Sequence, residues 1–298
     1  MKEEKNMSLV PAKFRFTTKE KSLMVVIMIL MVVGIVVTWT NCIENIKANA
    51  EYKLAYQQYQ EAIIKEQEEL ERKRQEKLPK LTEEGKENIK HIYSADVKRA
   101  FLTFDDGPSS NTSQILDILN ERGIKATFFV LGSNVEKNPE MVKRMYDEGH
   151  FIANHGYSHV YETIYQSPQA VLDEYNRCNQ VVRDAIGEQE YNSHLFRFPG
   201  GLVGGKYADI KNQANDLLLQ NDIVHVDWNA LNGDSETTSP TIEYEVQRIQ
   251  ETVGDKQSVV ILMHDAQAKT VTVEALPTII DYLKEQGYEF KNFYEIIK

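Results

Sequence analysis

The sequence predicts an α/β fold with a largely parallel sheet, open or closed into a barrel, preceded by an apolar helix and a charged helical stretch. Three observations lead there. Short apolar runs alternate with helix-period segments over about the last 200 residues, the pattern of βα units. Leu23 to Trp39 is a nearly unbroken apolar run. From about Ile43 to Leu78 the chain is rich in Glu, Lys, Gln and Ala, with neither Gly nor Pro.

Taken in order, the apolar run has close to the length that a tilted helix needs to cross hydrocarbon, and it exceeds most signal-peptide cores. It is expected to be a transmembrane helix, residues 23–40. Ala48-Asn49-Ala50 has a small-x-small pattern but sits too far beyond the run for usual processing. Cys42 follows Trp39-Thr40-Asn41, which lacks the small and aliphatic residues that precede a lipidated cysteine. Lys2, Lys5, Lys13, Arg15, Lys19 and Lys21 precede the run, and only Lys47 and Lys53 closely follow it. That bias places residues 1–22 in the cytoplasm and everything after residue 40 outside.

Residues 41–78 favour one long helix ended by Pro79. Its loose apolar stripe of Tyr52, Tyr56, Tyr59, Ile63 and Leu70 fits either a solvated stalk or the seam of a homodimer. Residues 79–97 are expected to be a linker with some helix, and residues 98–298 the α/β domain. Its expected strands are Ala100 to Phe104, Ala126 to Leu131, His150 to Asn154, Leu195 to Phe198, Ile223 to Trp228 and Val259 to Met263. The helices between them are Ser113 to Arg122, Pro139 to Glu148, Pro168 to Ile186, Ile242 to Val253 and Val273 to Gln286.

A formal net charge of −11 over 298 residues disfavours a nucleic-acid partner, since nothing offsets repulsion from a polyanion. The two cysteines, Cys42 and Cys178, are far apart in sequence, and no disulfide is expected between them.

Polar residues gather at the downstream ends of the expected strands, where parallel βα architectures place their sites. Thr103-Phe104-Asp105-Asp106-Gly107-Pro108 sets two adjacent carboxylates at a strand end, where a cation or a proton would relieve them. An Asp at such a turn also serves as a cap. Asn154-His155-Gly156-Tyr157-Ser158-His159 follows, its histidines spaced to lie on one face of a helical turn and share one ion. Two imidazoles and a carboxylate with open positions are a common arrangement for metal-activated water. Arg197 before Pro199-Gly200-Gly201, Asp227-Trp228 running on to Asp234, and Leu262-Met263-His264-Asp265 complete five such ends.

This ordered set, TFDDGP, HxxxH, RFPGG, DW to Asp, and LMH, resembles the NodB-like polysaccharide deacetylases of carbohydrate esterase family 4 over roughly residues 98–298. The resemblance implies a distorted (β/α) barrel with one divalent metal, zinc foremost and cobalt among the alternatives, in a groove for a sugar polymer. It implies Asp106, His155 and His159 as metal ligands and Asp105 as the general base, with Arg197 holding Asp105. It also implies His264 as the general acid and Asp234 as the carboxylate that keeps it charged. The metal and the backbone N–H of Gly200 would stabilise the oxyanion. Trp228 and Leu262 are candidates for the wall of the acetyl pocket. Three positions depart from the family's habit: Gly156 where Ser or Thr is common, and Gly200 and Ser235 where an aromatic is common. The expected reaction is hydrolysis of N-acetyl groups from an extracellular amino-sugar polymer, peptidoglycan N-acetylglucosamine foremost. A catalytically silent wall-binding protein and an O-acetyl esterase of the xylan type are the competing readings.

Overall fold

The computed structural model describes residues 17–297. Lys2, Lys5, Lys13 and Arg15, which carry much of the charge bias, lie outside them. The chain divides into two compact units, Met1–Arg72 and Lys73–Lys298. Helix α1, Thr18–Glu76, takes up the described part of the first and ends in the second; it buries none of its residues. The expected membrane span and stalk are thus one uninterrupted helix, and its apolar stretch is long enough to cross a membrane.

In the second unit, α2 (Glu83–Lys90) is followed by β1 (Arg99–Asp105), α3 (Thr112–Glu121), β2 (Thr127–Val130), α4 (Gly132–Val135), α5 (Pro139–Asp147) and β3 (Phe151–Asn154). The chain continues through α6 (Tyr161–Ile164), α7 (Pro168–Ile186), β4 (Leu195–Phe196), α8 (Ala208–Gln220), β5 (Val224–His225) and β6 (Ala230–Leu231). It closes with α9 (Ile242–Val253), β7 (Ser258–His264), α10 (Thr270–Glu285) and β8 (Glu289–Phe290).

The strands form one parallel sheet in the order β5-β4-β3-β2-β1-β7-β6, with β8 against the first residues of β1. The sheet curls into a half-barrel whose edges, β5 and β6, are not paired to each other. Alternation along the strands sorts the side chains. Phe101, Phe129, Phe151, Leu195, Val224 and Val260 fill the inside, while Leu102, Phe104, Phe128 and Ile152 pack outward against the helices.

Residues 79–97 do more than link. Thr82 caps α2 by accepting from Gly85 N–H, and Ile89 and Ile92 join Phe293 and Ile297 inside the barrel. The two-residue strands β6 and β8 have no counterpart among the expected strands, being too short to show an alternation. Cys42 is exposed and Cys178 is buried; both are free.

Candidate active site

Strand parity aims the site. Residues on the inward face at each strand end are Asp105 after Phe101 and Thr103, His155 after Phe151 and Ala153, and His264 after Val260 and Leu262. Arg197 follows inward Leu195 in the same way, and Trp228 follows Val224 and Val226. Asp106 would point outward if β1 continued. Its φ of 72° breaks the pleat, and its Oδ1 lies 3.7 Å from His155 Nε2 and 3.6 Å from His159 Nε2.

The histidine pair does not sit on a helical turn, which corrects the sequence expectation. Gly156 (φ 87°) and His159 (φ 56°) take left-handed backbone, so residues 155–160 form a loop that folds the two rings to within 5.3 Å of each other. Glu174 on α7 holds this loop: its Oε2 accepts from the N–H groups of Tyr157 and Ser158, each at 2.7 Å, and its Oε1 from the Ser158 hydroxyl. Asn154 Oδ1 accepts from Gly156 N–H.

Three observations fit a cation among Asp106, His155 and His159. Their ligand atoms all lie within 4.8 Å of one another. Asp106 Oδ1 is buried without a hydrogen-bond partner among the described residues. Ligands about 2.1 Å from a tetrahedral ion stand roughly 3.4 Å apart, near the separations found. His155 Nδ1 lies 2.7 Å from the Arg197 carbonyl, which fixes that nitrogen as the donor and leaves Nε2 with a lone pair. Burial drives the His155 imidazolium down to about 3, so the ring is neutral.

Asp105 is buried beside this cluster, its Oδ2 3.8 Å from His155 Nε2. Its Oδ1 accepts from Arg197 Nη1 at 2.8 Å. The Arg197 guanidinium is wholly buried. It donates also to Thr103 Oγ1 and to the carbonyls of Val226 and Asp227, and lies over the Phe129 ring at 3.9 Å. Burial pushes the Asp105 carboxyl up, and Arg197 draws it partly back.

On the far side of β1, His264 Nδ1 is 2.8 Å from Asp234 Oδ1, and His264 N–H donates to Asp234 Oδ2 at 2.9 Å. Burial works against a charged ring here, but the Asp234 bond and charge outweigh it and raise the imidazolium above the usual histidine value. Asp234 is correspondingly held below the usual carboxylate range: burial opposes this, and His264 and Lys269 overcome it.

The three departures each have a local counterpart. Glu174 and Asn154 support the loop at Gly156. The Tyr161 hydroxyl lies 2.6 Å from where a side chain at Gly200 would begin, so an aromatic at the start of α6, just after the histidine loop, fills that space. Ser235 Oγ bonds Asp234 Oδ1 at 3.1 Å and lies 3.2 Å from His264 Nδ1. Gly200 N–H donates to no protein acceptor among the described residues. Trp228 packs against Gly201, and Leu262 is buried on the inward side of β7.

Sequence reasoning assigned no role to Asp265, although it directly follows His264. Its buried carboxylate accepts from Ser109 and Thr112, and its N–H donates to the Asp105 carbonyl, tying the Asp-Asp loop to β7. It also missed the tyrosines: Tyr161, Tyr165 and Tyr207 line a groove on one side of the histidines. Asn134, Lys137, Asn138 and Gln267 line another beside Asp106.

A family model described as polysaccharide deacetylase matches residues 93–219. A peptidoglycan-N-acetylglucosamine deacetylase of Bacillus cereus is 32% identical over 201 residues, 66% of this chain and 70% of that protein. PgdA of Listeria monocytogenes, also a peptidoglycan-N-acetylglucosamine deacetylase, is 35% identical over 200 residues, 67% of this chain and 39% of that protein. Among solved structures, a Streptococcus mutans CE4 esterase superposes with a TM-score of 0.63 at 32% identity, covering 69% of this chain and 90% of the esterase.

Proposed function

Because the chain belongs to the NodB-like polysaccharide deacetylases of carbohydrate esterase family 4, hydrolases of amide bonds, we propose that it removes N-acetyl groups from peptidoglycan N-acetylglucosamine with the help of a divalent cation. The observation that carries this reading is the buried, unpartnered Asp106 Oδ1 facing two imidazole Nε2 atoms, with a carboxylate on one side and a carboxylate-bound histidine on the other.

An amide is a poor electrophile with a poor leaving group, so its hydrolysis near neutral pH needs an activated water, a charge sink and a proton for nitrogen. Asp106, His155 and His159 would hold the cation, zinc foremost; when bound, it supplies Lewis acidity that makes water a better nucleophile and stabilises negative charge. Asp105 takes a proton from the attacking water. Arg197 occupies its Oδ1 and leaves Oδ2 turned toward the histidines. Gly200 N–H, free of protein acceptors among the described residues, donates to the developing oxyanion. His264 delivers a proton to the departing amine, and Asp234 keeps it charged until then. Trp228 and Leu262 border the acetyl group.

The test is acetate release by the detergent-solubilised full chain on N-acetylglucosamine oligomers, peptidoglycan and acetylated xylan. Release from the first two, lost in chelator and restored by metal, is the expected result. Release from acetylated xylan alone would replace the amide reading with an ester one, and no release from any of them in metal-loaded protein would reject hydrolysis.

The same reading places α1 in a membrane with the catalytic unit outside, supported by the apolar stretch and the Lys and Arg bias before it. Protease added to intact cells stripped of their wall should digest the catalytic unit; complete protection would overturn the orientation.

A further inference from the structure

Helix α9 buries Glu245, Ile249 and Val253 in successive turns, so a carboxyl stands where its helix face otherwise presents apolar side chains. Glu245 is wholly buried, and an ionised carboxylate there would carry a large desolvation penalty. Its surroundings are specific. Glu245 Oε2 accepts from Asn232 Nδ2 at 2.7 Å, and its Oε1 lies 3.3 Å from Thr272 Oγ1. Thr272 Oγ1 is in turn 3.2 Å from Asp234 Oδ2 and accepts from Asn232 Nδ2 at 3.3 Å. Asp234 Oδ1 bonds the His264 ring, and the same Oδ2 also accepts from His264 N–H.

Counting hydrogens decides the protonation state. Thr272 has one hydroxyl hydrogen and stands between two carboxyl oxygens. Were both carboxyls ionised, one oxygen would face a lone pair. A proton on Glu245 Oε1 removes the conflict: Glu245 donates to Thr272, and Thr272 donates to Asp234. The titratable and charged groups facing Glu245 are Asp234, from the segment after β6, and Lys269, which precedes α10 and donates to the Asp234 carbonyl at 2.5 Å. His264 of β7 lies beyond Asp234.

We infer that Glu245 is a positioning residue for the reaction: held neutral, it orients Thr272 toward Asp234 and so fixes the carboxylate that steers His264. Burial and the nearby Asp234 charge push the Glu245 carboxyl up to about 7, which agrees with a mostly neutral form below neutral pH. Above that, its ionisation splits the single Thr272 hydrogen between two anions and weakens the hold on Asp234.

This rests on His264 as the proton donor. The test therefore compares Glu245→Gln, Glu245→Ala and Thr272→Val with His264→Asn in the metal-loaded full chain, following kcat, KM, metal content and the pH profile on an N-acetylglucosamine oligomer. Glutamine keeps the acceptor for Asn232 and offers Thr272 a donor at every pH. Glu245→Gln should match the unmodified chain within about twofold at pH 6 and lose only the part of the alkaline decline that Glu245 ionisation adds, keeping the fall set by His264. Glu245→Ala and Thr272→Val should lower kcat by about tenfold with KM and metal retained, the scale of losing a hydrogen bond that serves a charged group. An unchanged pH profile in Glu245→Gln, or Glu245→Gln as impaired as Glu245→Ala, would overturn the inference. So would Glu245→Ala retaining full kcat. If His264→Asn itself leaves amide cleavage intact, the reading of the donor fails instead.

Discussion

Replacing His155 and His159 together with alanine is expected to abolish stoichiometric divalent metal and to reduce acetate release by roughly a thousandfold or more, since a bound cation contributes several kcal/mol of charge stabilisation. The expectation follows from the donor set. Asp106 Oδ1 has no hydrogen-bond partner among the described residues, and the Nε2 atoms of both histidines face it at under 4 Å. With both imidazoles gone, one carboxylate remains, too little to hold zinc against water. His155 is buried and its Nδ1 bonds the Arg197 carbonyl, so the substitution also leaves a small cavity. Circular dichroism on the apo forms separates that effect from metal loss. Metal analysis of the double variant is the deciding measurement, and a full equivalent of bound metal in it would reject the ligand assignment.

Replacing His264 with asparagine should leave metal bound yet slow amide cleavage by roughly 100-fold or more, the usual scale for losing one proton donor. Activated esters should suffer less, because an alkoxide leaves without a proton far more readily than an amine anion does. The pH dependence follows from the sign of the shift. His264 must be protonated to act, and Asp234 raises its imidazolium above the ordinary histidine value although burial pulls the other way. Activity in the unmodified chain should therefore persist above that ordinary value and fall as pH rises through the raised one. Asp234→Asn removes the charge that raises it, so the alkaline limb should move to lower pH. Equal loss of amide and activated-ester hydrolysis in His264→Asn, with metal retained, would show that His264 is not the acid.

Much of this site is legible in the amino-acid sequence, for a local reason. A parallel strand ends where its apolar run stops, and the residues that follow are polar because they face the open end of the sheet. Asp105, His155, Arg197 and His264 stand out in this way. The histidine loop does not: spacing of i and i+4 suits a helical turn, but Gly156 and His159 adopt left-handed backbone, which a glycine permits and Glu174 on α7 secures. Glu245 carries little signal: it falls at helical spacing with Ile249 and Val253, but no motif marks it and its partners Asn232, Thr272 and Asp234 come from distant segments.

By itself the sequence determined the residue types, their order and the membrane-length apolar run. These depend on neighbours along the chain. Strands buried on both faces read as continuous apolar runs, so which side chains face inward came from the structure. Only the tertiary structure decided which atoms meet. Arg197 reaches Asp105 and Thr103 more than 90 residues away, Asp265 anchors Ser109 and Thr112 across more than 150, and Thr272 stands between Asp234 and Glu245. Such pairings follow from the curl of the sheet and the packing of α9 against α10, and no local period in the chain records them.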